Sequence, residues 1–155
     1  MQARVWGCRG SLAAPGPDTV RYGGNTSCIE VRLDSGPTLV LDAGTGMRPL
    51  GVAIDHDPVD ELHIMLTHLH MDHLQGLGFF RPLFRSGADV HVWGPASPVQ
   101  SLADRIALYL SPPLFPVRLP ELPCPLTLPD VPLPPAGLRA GPPRNRPALA
   151  CHPRP

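Results

Sequence analysis

The hexapeptide at residues 68–73, His-Leu-His-Met-Asp-His, contains four side chains that can bind metal ions. Neutral imidazole and carboxylate are good ligands for zinc and other divalent first-row metals. His68 and His70 can face one metal, while Asp72 and His73 can turn toward a second. Two metals about 3.5–4 Å apart can activate a shared water and clamp a phosphodiester or ester oxygen. The spacing therefore predicts a dinuclear hydrolase site; the alternative is a histidine-rich surface loop without metal.

The elements that must position this motif are short strands. An apolar run at residues 63–66 leads directly into the histidines. A second run, at residues 38–41, ends at Asp42, and a glycine-rich turn and a short helix around residues 47–53 follow it. Further strands are predicted at residues 5–8, 28–33 and 90–93. The motif is therefore expected in a loop at the carboxyl end of a strand.

A second helix is predicted over residues 97–110. Ser97 can cap it, Pro98 suits the first helical position, and Gln100 completes a capping box. Apolar residues then recur at helical spacing until a pair of prolines ends the helix.

Proline divides the chain into two regions. Most of the 23 prolines lie beyond residue 111, and the apolar pattern fades after about Leu114. Prolines this dense cannot occupy a central strand or a helix interior. We therefore predict a globular part at residues 1–125 and a Pro-rich tail at residues 126–155, with poor order from about Leu114 onward. The tail is either disordered or the product of a disrupted gene.

Residues 67–77 resemble the signature loop of the metallo-β-lactamase superfamily. The upstream segments 7–11 (Gly-Cys-Arg-Gly-Ser), 21–28 (Arg-Tyr-Gly-Gly-Asn-Thr-Ser-Cys) and 41–46 (Leu-Asp-Ala-Gly-Thr-Gly) strengthen the likeness. They are similar to the branch that contains tRNase Z and the cyclic-phosphate phosphodiesterases. The resemblance implies an α/β (α+β) fold, the N-terminal half of an αββα sandwich with an irregular C-terminal tail. It also implies a phosphodiesterase-type hydrolase in which a metal-bound hydroxide attacks phosphorus.

The same resemblance assigns roles to individual residues. His68 and His70 would bind one Zn²⁺, and Asp72 and His73 a second, with Mn²⁺ or Fe²⁺ as alternatives. Asp72 and Asp42 are the candidate catalytic residues. Asp42 would support the metal ligands without binding metal itself, since ligating histidines need a partner on the other ring nitrogen. A turn-capping role is the alternative for Asp42.

The C-terminal end bears on the rest of the ligand set. His152, in Cys-His-Pro at residues 151–153, resembles the family's third histidine; its alternative is an ordinary tail residue. The family's bridging aspartate and last histidine have no counterpart, so the resemblance implies a C-terminal truncation. A truncated, non-catalytic fragment is therefore one competing function, and an iron-dependent oxidoreductase on the same scaffold is another.

Composition limits the partners. The formal net charge is +0, which argues against a general nucleic-acid binder and leaves a small-molecule or nucleotide-like phosphodiester as the expected substrate. No apolar run is long enough for a membrane span, and no secretory signal is visible, so a cytoplasmic protein with reduced cysteines is expected, with oligomerisation possible in principle. His63 and His91 are expected to be packing or surface histidines. Arg81, Arg85 and Arg105 are expected in surface ion pairs.

Overall fold

The computed structural model of the chain describes residues 1–132, which form one mixed sheet of seven strands and two α-helices. The strands are β1 (Gln2–Gly7), β2 (Cys28–Arg32), β3 (Thr38–Leu41), β4 (Glu61–Met65), β5 (Asp89–Pro95), β6 (Leu126–Thr127) and β7 (Asp130–Val131). The helices are α1 (Met47–His56) and α2 (Leu102–Tyr109). Within residues 1–132, neither helix is long and apolar enough to cross a membrane.

The order of the strands in the sheet follows the chain. β1, β2 and β3 pair antiparallel, whereas β3, β4 and β5 pair parallel. Parallel neighbours need a crossover, and α1 makes the crossover from β3 to β4. This arrangement places the carboxyl ends of β3 and β4 side by side.

One face of the sheet holds the hydrophobic core. Because side chains alternate along a strand, Val40, Ile64 and Val92 share one face and are fully or almost fully buried. The helices cover that face with residues at helical spacing, and the buried helical side chains are Met47, Leu50, Ile54, Leu102 and Ile106. The described residues therefore form one sheet layer and one helix layer, as the half-sandwich prediction requires.

The opposite face of the sheet is open to solvent within residues 1–132. Val5 is 60% exposed, and Leu41 and Met65 are each 37% exposed. Polar side chains lie on the same face, because the register pairs His63 with His91 and Met65 with Trp93.

The predicted start of the second helix is wrong. α2 begins at Leu102, and its N-cap is Ser101, whose hydroxyl accepts a hydrogen bond from the Asp104 amide over 3.1 Å. Ser97 instead closes a local turn by accepting from the Val99 amide over 3.2 Å. Both serines offer a capping oxygen, but Asp104 also places a carboxylate in the first helical turn, where the helix dipole favours it.

The prediction of poor order after about Leu114 is wrong for residues 115–132. β6 pairs with the first half of β5 and β7 with its second half, both in parallel. Cys124 is buried, and leucines between prolines pack on the core at residues 119, 122, 126 and 128. The prolines are compatible with pairing because each strand is only two residues long and lies at the sheet edge. The two strands lie just beyond the predicted boundary at residue 125, and residues 133–155 lie outside the described residues.

Candidate metal centre

The segment at residues 67–77, called the histidine loop below, lies against the end of β3. The Ala43 amide donates to the His73 carbonyl over 2.9 Å, and the Gly76 amide donates to the Ala43 carbonyl over 2.9 Å. A side chain at Gly76 would collide with the carbonyl oxygen of Gly44. The glycines therefore allow two backbone segments to touch, and this contact fixes the loop relative to the sheet.

Three imidazole rings converge in this loop. The ring centroids of His68 and His70 are 4.5 Å apart, and those of His68 and His73 are 4.1 Å apart. The rings are tilted by 79° and 48° and do not stack. His68 and His73 are half-buried, whereas His70 is exposed.

Hydrogen bonds determine which nitrogen of His68 is free. The Thr67 hydroxyl donates its only proton to Asp42 Oδ1 over 2.8 Å, so it can only accept from His68 Nδ1, which lies 3.0 Å away. His68 therefore carries its proton on Nδ1 and leaves the Nε2 lone pair free. This is the arrangement of a metal-ligating histidine, whose second nitrogen is held by an acceptor.

Asp42 connects two of the histidines. Its carboxylate accepts from the Thr67 amide over 2.9 Å and from the Ser27 hydroxyl over 3.1 Å, and Oδ2 lies 2.8 Å from His73 Nδ1. The His73 contact is close but not aligned as a hydrogen bond, and this buried nitrogen has no other partner within residues 1–132. Asp42 also has a φ of 61°, a strained conformation that Asp tolerates better than most residues and that is found at functional sites.

The carboxylates of the site are held in their charged form. Burial of Asp42 raises its pKa, but the hydrogen bonds from Thr67 and the neighbouring His73 outweigh burial and hold the pKa below its ordinary value. The backbone amide of Ser11 donates to Asp72 Oδ2 over 2.8 Å, and this hydrogen bond lowers the pKa of Asp72. Charged carboxylates are the form that binds divalent cations.

The residues fit a metal group. The donor set is three neutral imidazoles and one carboxylate, and a buried His73 nitrogen lacks an aligned partner. The structure places the rings of His68, His70 and His73 next to one another and Asp72 Oδ2 3.5 Å from His73 Nε2, with Asp42 beside His73. His152, the remaining predicted ligand, lies outside the described residues.

A second group of ligand-type side chains lies on the open sheet face. Glu61, His63 and His91 place one ligand atom each within 4.8 Å of one another. His63 Nε2 lies 2.9 Å from Glu61 Oε1, and the two histidine rings stack with centroids 4.7 Å apart. In the sequence each of these histidines is expected to be a packing or surface residue, whereas strand alternation and the pairing of β4 with β5 place them side by side.

Trp93 argues against metal binding by this second group. The indole Nε1 can only donate, and it lies 2.9 Å from His63 Nδ1, which must therefore accept. The proton of neutral His63 is then on Nε2, where it is donated to Glu61. Both nitrogens of His63 are thus committed to protein partners.

Other residues singled out in the sequence have structural roles. Arg81 and Arg85 pair with Asp55, and Arg105 pairs with Asp130, as the ion-pair prediction states. Within residues 1–132 the three cysteines are free, two of them buried, and burial raises the pKa of the Cys28 thiol to about 12.

Comparison with known proteins settles the family. Residues 21–142 match the sequence model of the Metallo-beta-lactamase superfamily, a match that spans most of the chain and includes the histidine loop. The chain belongs to this superfamily. The resemblance predicted from residues 67–77 is therefore confirmed.

Two relatives of this superfamily member are informative. Ribonuclease Z of Deinococcus radiodurans is 38% identical over 92 residues, which is 54% of this chain and 26% of the relative. The crystal structure of a diphosphatase of the PhnP family matches with a TM-score of 0.50 and 17% identity, covering 83% of this chain and 49% of that chain. The second likeness shows the fold alone. The chain thus spans about a quarter of one relative and about half of the other.

Proposed function

We propose that this chain is a metal-dependent hydrolase of phosphodiester bonds. The observation that carries the proposal is the cluster of three imidazole rings at the carboxyl end of adjacent parallel strands, with Asp72 Oδ2 3.5 Å from His73 Nε2 and the His68 proton on Nδ1. Ligand sites of open α/β sheets occur at such strand ends.

The residues divide into ligands and supports. His68 and His70 hold one metal, and Asp72 and His73 hold a second. Asp42 lies against the ring of His73 and orients the ring of His68 through Thr67. Divalent metals held there would lower the pKa of water and polarise a phosphoryl oxygen.

Family membership and the ribonuclease Z relative support hydrolysis of a phosphodiester. A small-molecule or nucleotide-like diester is the first candidate substrate, because the formal net charge of +0 offers no general attraction to nucleic acid. RNA is the second candidate, and the 38% identity to a ribonuclease favours it. Both contain the same reacting bond, so one site can serve either.

The test is hydrolysis of bis(p-nitrophenyl) phosphate with added zinc, manganese or iron. Each metal has two ligands within residues 1–132 where about four are usual, so we expect slow turnover that needs added metal. His68→Ala should lose this turnover, while the matched variant His63→Ala on the sheet face should keep it. Equal rates for the parent chain and His68→Ala would contradict the proposal. A parallel assay with a short single-stranded RNA distinguishes the two substrate classes.

A further inference from the structure

The turn at residues 10–12 has an unusual backbone. The Leu12 amide donates to the Gly10 carbonyl over 3.0 Å, and the residue between them, Ser11, has a φ of 71°. A three-residue turn with a positive φ at its centre is rare and strained. Glycine would adopt this φ without the steric cost that serine has. Strain of this kind persists only where the surroundings enforce it.

The surroundings of Ser11 do enforce the turn. The Arg9 side chain donates from Nε to the Leu12 carbonyl over 2.8 Å and so bridges the turn. On one side the Arg9 amide donates to the Asn25 carbonyl over 3.0 Å, and on the other side the Ala14 amide donates to the Gly24 carbonyl over 3.0 Å. The turn is thus anchored at both ends to the segment before β2.

That segment is in turn connected to the metal centre. Thr26 exchanges two hydrogen bonds of 2.8 Å with Thr45, and Ser27 donates to Asp42 over 3.1 Å. The Ser11 amide and the Asp72 carboxylate therefore meet on one connected scaffold, although 61 residues separate them in the chain.

We infer that Ser11 is a positioning residue for the metal centre, whose backbone amide holds the Asp72 carboxylate in its metal-binding orientation. The inference rests on the proposed function. The amide donates to Asp72 Oδ2 over 2.8 Å, so one carboxylate oxygen is fixed before any metal arrives. A ligand already oriented loses less side-chain freedom on binding, so affinity for the metal held by Asp72 increases. The hydroxyl of Ser11 has no part in this role.

Three variants separate the amide from the side chain. Ser11→Gly keeps the amide and accepts the positive φ, so it should bind metal like the parent chain. Ser11→Pro removes the amide and cannot adopt the positive φ, so it should weaken binding of the zinc or cobalt ion held by Asp72 by about 10–100-fold, as loss of an outer partner usually does. Arg9→Ala loosens the turn without removing the amide. On the same basis we expect a smaller decrease in metal affinity, of about threefold or more. If Ser11→Pro does not fold, the metal affinity of Arg9→Ala tests the inference.

A second readout needs no metal. In the metal-free protein, amide hydrogen exchange measured by NMR should show Ser11 protected. Asp72→Ala should abolish this protection, and the matched variant His70→Ala should not. Ser11 protection unchanged in Asp72→Ala, or equal metal binding in the parent chain, Ser11→Pro and Arg9→Ala, would overturn the inference. Intact Ser11 protection in a chain that binds no metal would instead refute the proposed function alone.

Discussion

The histidines of the loop and those of the sheet face differ in which nitrogen the protein leaves free. In the loop, His68 Nδ1 donates to Thr67, and Nε2 has no hydrogen-bond partner within residues 1–132. On the sheet, Trp93 donates to His63 Nδ1, and His63 Nε2 is used by Glu61. The nearest partners of the two rings therefore differ: an acceptor beside His68 Nδ1 leaves the Nε2 lone pair available, whereas a donor beside His63 Nδ1 places the proton on Nε2.

Ring orientation separates the two groups as well. The loop rings are tilted by 79° and 48° to one another and do not stack. The sheet rings of His63 and His91 are within 20° of parallel, because neighbouring strands hold them in register. Within residues 1–132, only the sheet group brings one ligand atom from each of three residues within 4.8 Å of one another, so proximity alone does not identify a metal site.

The largest effect should come from removing the loop histidines. The purified chain should bind a divalent metal that the double variant His68→Ala/His70→Ala loses almost entirely, since two of its neutral donors disappear. The matched double variant His63→Ala/His91→Ala should retain the parent metal content. Zinc, manganese and iron are measured together by plasma mass spectrometry. Loss of metal from the sheet variant would show that His63 and His91 contribute to metal binding.

A second prediction concerns the backbone under the loop. Gly76→Ala forces a methyl group into the carbonyl oxygen of Gly44, and overpacking against backbone should lower the free energy of unfolding by about 3 kcal/mol. Gly87→Ala is the control, because a methyl group there meets nothing within 4 Å and should change stability by less than about 0.5 kcal/mol. Urea unfolding measures both. Similar stabilities for the two variants would mean that the loop can move away from the end of β3 at little cost.

Much of this arrangement is readable from local sequence, and the reason is physical. The strand at residues 38–41 and the loop at residues 68–73 are encoded by neighbours in the chain, so their existence and the placement of Asp42 follow from patterning. The stacking of His63 on His91 depends on the pairing of β4 with β5, which no local pattern specifies.

The remaining discrepancies also arise from tertiary contacts. β6 and β7 have two residues each, too few for any periodicity, and they exist because β5 offers an unpaired edge. The choice of Ser101 over Ser97 as helix cap depends on which serine meets Asp104. The role of the Ser11 amide is invisible in sequence, since a backbone group carries no residue identity.

A third prediction tests how Asp42 prepares the loop. Asp42→Asn keeps a side chain that tolerates the positive φ but loses the charge that faces His73. Metal affinity should fall by about 10–100-fold, the usual consequence of removing an outer-shell carboxylate. Isothermal titration with zinc provides the measurement, and Asp34→Asn, at an exposed ion pair with the N-terminus, is the control. An affinity equal to that of the parent chain would reduce Asp42 to a turn residue.

The smallest effect should come from Trp93→Phe, which tests whether the indole of Trp93 determines which nitrogen of His63 carries the proton. Phenylalanine keeps an aromatic ring beside His63 but has no N–H group, so the hydrogen bond to Nδ1 is lost. The stability cost should be about 1 kcal/mol, the net value of one ordinary hydrogen bond. Nitrogen-15 shifts of the metal-free protein should show His63 protonated on Nε2 alone in the parent chain and a mixture of tautomers in the variant. Trp6→Phe is the matched control, since its indole donates to Glu30 over 3.0 Å and its loss should leave His63 unchanged. Finding the proton of His63 on Nδ1 in the parent chain would contradict this assignment, because a protonated nitrogen cannot accept a hydrogen bond from an indole and the lone pair would then lie on Nε2.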